Sequence, residues 1–262
     1  MENLLNKLWE DYCLISPASK RINDLLAKDN PNIKNDHIAF RGFQIKGFGI
    51  DSLSSVFLEN GYSECDDYHF EQKKLYAKHY EPPNDKWPKV FISELLVSEF
   101  SADLQNTLTM LTDSVDEAVY KDKEFCVSGR PWLLDYSTYK KLHDESEYAG
   151  WMSAFGYRAN HFTINVNSLD TFEDLESLNK FITSQGYKLN TAGGAIKGSK
   201  AVGLEQSSTL AEKVDVNFMD GRHELPSCYY EFAKRYQVNG GNLYQGFVTA
   251  SADKIFESTN AK

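Results

Sequence analysis

The segment N-D-H-I-A-F-R-G-F, Asn35 to Phe43, sets a histidine and an arginine four positions apart in a stretch that otherwise reads as a half-buried β-strand. Side chains alternate faces along a strand, so Ile38, Phe40 and Gly42 point one way and His37, Ala39 and Arg41 the other. The first set reads as core and the second as chemistry. Another histidine, His161, opens the comparable run H-F-T-I-N-V-N, and a glutamate, Glu231, sits in S-C-Y-Y-E-F-A. Two imidazoles and a carboxylate are ligands for a divalent metal, and an arginine can grip a carboxylate through two parallel hydrogen bonds.

The elements that must position these residues repeat. Residues 3–28 read as two amphipathic helices, with Leu4, Leu5, Leu8, Trp9 and Tyr12 at helical spacing in the first. Ser16 is expected as N-cap and Pro17 as first residue of the second. After the turn D-N-P-N the chain runs twice through one plan. The first pass is a strand at His37, a helix capped by Asp51 that bears Leu53, Val56, Phe57 and Leu58 and stops at Gly61-Tyr62, then strands ending in P-K-V-F-I-S-E-L-L-V. The second is a strand at His161, a helix bearing Phe172, Leu175, Leu178, Phe181 and Ile182 that stops at Gly186-Tyr187, then strands ending at Glu231. From His37 to Gly61 is 24 residues and from His161 to Gly186 is 25. Glu94 and Glu231 follow their histidines by 57 and 70 residues, a difference expected from a longer loop around A-G-G-A-I-K-G-S-K. Glu94 is thereby read as the counterpart of Glu231, in a structural or supporting role.

These patterns predict an α+β fold in one domain, residues 1–262. N-terminal helices occupy 1–34, a first βαβββ module 35–98, a helical insert packed on the outside 99–159, and a second βαβββ module with a C-terminal segment 160–262. After the turn V-N-G-G-N, Ser251 is expected to cap a last short helix. Two such modules side by side form a half-open barrel, which brings His37, His161 and Glu231 together. That set matches the two-histidine, one-carboxylate face of non-heme Fe(II) oxygenases, and it suits zinc or manganese as well. Gln206, Ser207 and Ser208 are expected to line the barrel, and Lys197 to be a solvated loop lysine. His69, His79, His143 and His223 lack a matching partner in the repeat and read as surface or supporting groups.

Composition narrows the partners. A net charge of −10 with no Lys/Arg block argues against nucleic acid and against an anionic membrane surface. No run of about 18 apolar residues is present, and the opening M-E-N-L-L-N-K-L-W-E lacks the pattern of a signal peptide, so a soluble, cytoplasmic protein is expected. The four cysteines form no C-x-x-C pair and read as reduced structural thiols. Oligomeric state is not set by any of these features.

The segments N-D-H-I-A-F-R-G-F, L-E-Q-S-S-T-L-A, Y-Y-E-F-A-K-R and A-D-K-I-F-E-S-T resemble the signature segments of the 2-oxoadipate dioxygenase/decarboxylases, also called 2-hydroxyglutarate synthases, which are related to the vicinal oxygen chelate fold. The resemblance runs from about Asn35 to the C-terminus and weakens in the helical insert, and the family contains considerably longer members. It implies Fe(II), or another divalent metal, held by His37, His161 and Glu231, with Arg41 as a catalytic and substrate-binding arginine. It also implies a small 2-oxo acid and O2 as partners: 2-oxoadipate is decarboxylated oxidatively and hydroxylated to 2-hydroxyglutarate and CO2, in lysine breakdown. A substrate carboxylate is further expected on the backbone N–H groups near Ser251. Two other readings stand beside this one, a metal-dependent isomerase, lyase or hydrolase on the same fold and a non-catalytic binder of a small acid.

Overall fold

The computed structural model describes residues 1–238 and 240–255. Two helices, α1 (Glu2–Ile15) and α2 (Pro17–Ala27), precede the sheet, with Ser16 at the cap position between them and Pro17 at the start of α2. They bury Leu4, Leu8, Tyr12, Ile22 and Leu26, and Trp9 and Tyr12 pack edge-on or tilted against Phe162.

The first module follows as β1 (Asn35–Phe43), α3 (Ile50–Glu59), β2 (Ser63–Phe70), β3 (Leu75–Glu81) and β4 (Lys89–Leu95). The second begins with β5 (Ala159–Asn165), α8 (Leu175–Ser184), β6 (Lys197–Ser199) and β7 (Leu204–Ser208) and closes with β10 (Glu231–Arg235). Their strands make one eight-stranded sheet in the order β2-β3-β4-β1-β5-β10-β7-β6. Each half has its first and last strands parallel, and the halves meet where β1 and β5 run antiparallel. The repeat is therefore real in space. Both module helices stop the same way: Gly61 and Gly186 adopt φ of +88° and +89°, and the next residue's N–H reaches back to Phe57 and Ile182. Glycine meets that left-handed requirement without strain.

Four expectations change. The extra length before Glu231 is only partly loop, because a separate hairpin, β8 (Lys213–Phe218) with β9 (Gly221–Pro226), is inserted between β7 and β10. Glu94 is not the counterpart of Glu231. In the parallel ladders His37 pairs with Lys89 and Ala39 with Phe91, whereas Thr163 pairs with Glu231, so Phe91 holds the matching position. Glu94 instead accepts the Ile50 N–H at 2.9 Å, at the start of α3. Asp51 is not the cap of α3, since Gly49 occupies that position and Asp51 lies within the first turn. The insert, α4 (Ala102–Asp113), α5 (Glu117–Tyr120), α6 (Tyr136–Glu145) and α7 (Glu147–Phe155), is only partly external: every residue of α7 from Tyr148 to Phe155 is buried. The last described element is α9 (Thr249–Ile255); residues 256–259 of the A-D-K-I-F-E-S-T segment lie outside the described residues.

Candidate metal centre

Both faces of β1 are covered. Phe40 packs on Phe57 of α3 behind the sheet, while His37 and Arg41 are buried on the concave side. His161 on β5 and Glu231 on β10 face the same space. His37 Nε2 is 3.6 Å from Glu231 Oε1, and His161 Nε2 is 3.2 Å from Glu231 Oε2. The ligand atoms of all three lie within 4.8 Å of one another, and all three residues are buried.

The imidazoles are oriented from behind. His37 Nδ1 meets Asp36 Oδ1 at 2.8 Å and His161 Nδ1 meets Asn160 Oδ1 at 3.0 Å. Each outer nitrogen therefore donates its proton away from the centre, and each Nε2 lone pair points inward. The Thr163 hydroxyl stands 3.0 Å from His37 Nε2. Asp36 reaches the side chain of its own neighbour because β1 is irregular between Asn35 and His37, which frees the intervening residue from strict alternation. Behind Asp36 lies Arg235, with Nε and Nη2 donating to its two oxygens at 2.7 and 2.8 Å and Nη1 donating to the Tyr244 and Gly246 carbonyls. Burial by itself would raise the Asp36 carboxyl, but Arg235 and the His37 hydrogen bond outweigh it and hold the group well below the usual carboxylate range. Burial, with His37 and Arg41 adding to it, pushes His161 far below the ordinary histidine value and keeps it neutral.

Glu231 accepts a 2.5 Å hydrogen bond from Gln206 at Oε1, while its buried Oε2 has no hydrogen-bond partner. Burial raises this carboxyl, and His37 and Gln206 offset part of the rise. Two inward lone pairs and a carboxylate converging out of water are a poor arrangement alone and a good one around a divalent cation. The donor set fits the metal that the sequence implies.

Arg41 shares this cavity with Ala39, Phe91, Ser93, His161, Gln206 and Glu231. Its guanidinium lies 5.0 Å from the Tyr148 ring centre and 4.9 Å from that of Trp151, both on α7. The Tyr148 hydroxyl donates to the Ser93 carbonyl and accepts the Gly42 N–H, so the ring that supports Arg41 is tied to β1 and β4. Phe247, between β10 and α9, covers the centre and packs on the His37 ring at 4.8 Å. Beneath it the free space is about 20 Å³, room for one water molecule.

Other assignments divide. Gln206 lines the cavity, whereas Ser207 points the opposite way and donates to Asn179 of α8. Lys197 is not a solvated loop residue: it is buried on β6, donates to the Asn190 carbonyl at 2.6 Å, and burial lowers its pKa to about 8. Ser251 does not cap α9, which begins at Thr249; its hydroxyl stands over Gly198 of β6 and is not among the groups lining the cavity. Asp36, Arg235, Tyr148, Trp151 and Phe247 were not singled out from sequence. The adjacent Asp-His pair was the one available signal for the first; the others come from distant segments.

A family model described as 2-oxoadipate dioxygenase/decarboxylase matches residues 12–122 and 125–245. The Arabidopsis thaliana chloroplastic 2-oxoadipate dioxygenase/decarboxylase is 36% identical over 98% of this chain and 76% of its own length. A Shewanella frigidimarina crystal structure, provisionally described as a hydrolase, matches with a TM-score of 0.91 and 50% identity over 95% of this chain and 98% of that one. The Oryza sativa hydroxyglutarate synthase, crystallised with 2-oxoadipate, matches with a TM-score of 0.90 and 34% identity over 99% and 91% of the two chains. A Ralstonia eutropha protein of the glyoxalase superfamily, at a TM-score of 0.78 and 17% identity over 93% and 84%, shares the fold. The paired βαβββ architecture is thus of the vicinal oxygen chelate type, and with the family model matched over most of its length and 36% identity to a named enzyme over 98% of this chain, the chain belongs to the 2-oxoadipate dioxygenase/decarboxylase family.

Proposed function

We propose that this protein converts 2-oxoadipate, or a close 2-oxo acid, with O2 into 2-hydroxyglutarate and CO2, using Fe(II) held by His37, His161 and Glu231. The observation that carries this reading is the buried convergence of those three ligands, two of which, His161 and Glu231, line a cavity together with Arg41, in a chain of this family. The metal, when bound, supplies Lewis acidity toward the 2-oxo acid and one-electron chemistry toward O2.

The protein's own groups do the rest. Asp36 and Asn160 hold both imidazoles in the tautomer that offers Nε2, and Gln206 fixes the Glu231 carboxylate. Arg41 binds a substrate carboxylate, and its stacking on Tyr148 and Trp151 limits the orientations from which it can do so. Phe247, Phe91 and Tyr229 exclude water from the reacting end of the acid. With room for only one water beneath Phe247, the segment carrying that ring must shift to admit a six-carbon diacid. Ser251 as a carboxylate seat requires the same segment to reposition. The setting we assign is cytoplasmic lysine breakdown.

The test is to load anaerobically purified protein with Fe(II), add 2-oxoadipate, and follow oxygen uptake with identification of the product. Uptake with 2-hydroxyglutarate and CO2 is expected, and both disappear in His37→Ala. No uptake across a series of 2-oxo acids would sink the proposal, and anaerobic turnover with zinc would favour an isomerase, lyase or hydrolase.

A further inference from the structure

At the rim of the same half-barrel, three more potential ligands converge. Cys65 on β2 and His79 and Glu81 on β3 place a thiol, an imidazole nitrogen and a carboxylate oxygen within 4.8 Å of one another. His79 and Glu81 are two apart and share one face of their strand. Cys65 joins them because the β2–β3 ladder skips between Glu64 and Asp67, so Cys65 and Asp66 bulge opposite His79. The decisive feature is His79. Only 1% of it is exposed, its Nδ1 is held by the Tyr68 hydroxyl at 2.9 Å, and its buried Nε2 has no hydrogen-bond partner. Glu81 Oε1 is the polar atom that faces this nitrogen, at 3.5 Å, the outer limit of hydrogen-bond distance. A buried imidazole with one nitrogen anchored by an oxygen and the other aimed at a carboxylate and a thiol is the arrangement of a metal ligand.

We propose that Cys65, His79 and Glu81 form a second metal site, for a thiophilic divalent ion of the zinc class. The thiol separates it chemically from the main centre, whose donors are nitrogen and oxygen alone. Half-exposed Glu81 and exposed Cys65 give the ion a route from solvent and leave a fourth position for water. Lys89 opposes binding, since its Nζ is 3.6 Å from Glu81 Oε1. Tyr68 ties the site to the main centre, because the hydroxyl that holds His79 also accepts the Phe247 N–H at 3.2 Å.

Cobalt(II) reads the thiol directly, through a sulfur-to-metal charge-transfer band in the near ultraviolet. Full-length Glu231→Gln protein, with its main centre disabled, should develop this band on titration with cobalt and lose it when zinc is added. The band should vanish in Glu231→Gln carrying either Cys65→Ser or His79→Gln, and Lys89→Met should tighten binding. Cys65→Ser changes an exposed side chain, so loss of the band there is not explained by misfolding; circular dichroism checks this. Absence of the band in Glu231→Gln under excess cobalt, or its survival in Cys65→Ser, overturns the proposal. Neither result bears on oxygen uptake with 2-oxoadipate.

Discussion

At the scale of single residues, the centre depends on groups that lie behind the metal ligands. Asp36 joins a buried arginine to a buried histidine, so Asp36→Asn leaves Arg235 uncompensated and should cost about 3–5 kcal/mol of stability. The pH dependence follows in sign. Because the folded carboxyl sits below its unfolded value, its contribution is complete above about pH 4 and is lost as pH falls below that toward the depressed folded value. Urea unfolding of both proteins should show the full difference at neutral pH and a shrinking one in acid. Metal affinity in the variant should also fall by about 10- to 100-fold, since the His37 ring loses its anionic partner. Arg41 makes a different prediction. Removing a charged hydrogen-bond donor in Arg41→Ala should cost about 2–3 kcal/mol, or roughly 30- to 150-fold in kcat/KM for 2-oxoadipate, with metal retention unchanged. Steady-state kinetics beside a metal assay separates the two effects.

At the scale of elements, the segment between β10 and α9 decides access. Phe247 packs on His37, His79, Phe91 and Tyr68, and Arg235 holds the segment through the Tyr244 and Gly246 carbonyls. Phe247→Ala should open the cavity without touching a ligand atom. Chelator should then remove bound metal faster than from the parent protein, and oxygen uptake should become less tightly matched to product as water reaches the centre. Equal stripping rates would show that the ring does not guard the site. Helix α7 works from the opposite side. Tyr148 and Trp151 are three apart and meet the same guanidinium, as residues on one helical face do.

Across the whole molecule, the centre belongs to neither module alone. His37 comes from the first and His161 and Glu231 from the second, across the seam where β1 pairs with β5. A metal bound there binds only the folded chain, so Mn(II), a redox-quiet substitute, at 100 times its Kd should add about 2.7 kcal/mol to the unfolding free energy. Glu231→Gln should abolish that gain. Thermal unfolding with and without metal measures both.

What the sequence determined by itself was local or periodic. The alternation in N-D-H-I-A-F-R-G-F, the two Gly-Tyr helix stops and the doubled plan follow from backbone sterics and the burial of apolar faces, and they sufficed for the α+β fold, the duplicated module and the three residues that converge. Tertiary structure alone decided register and burial. Glu94 looked equivalent to Glu231 by residue type and rough distance, but the hairpin inserted before β10 and the ladder pairings put Phe91 in its place. Lys197 looked solvated in its Gly-rich surroundings, yet pairing with β7 buries it. Arg235, nearly 200 residues from Asp36, carries no local mark of its role, because that role exists only once β1 and β10 lie in one sheet.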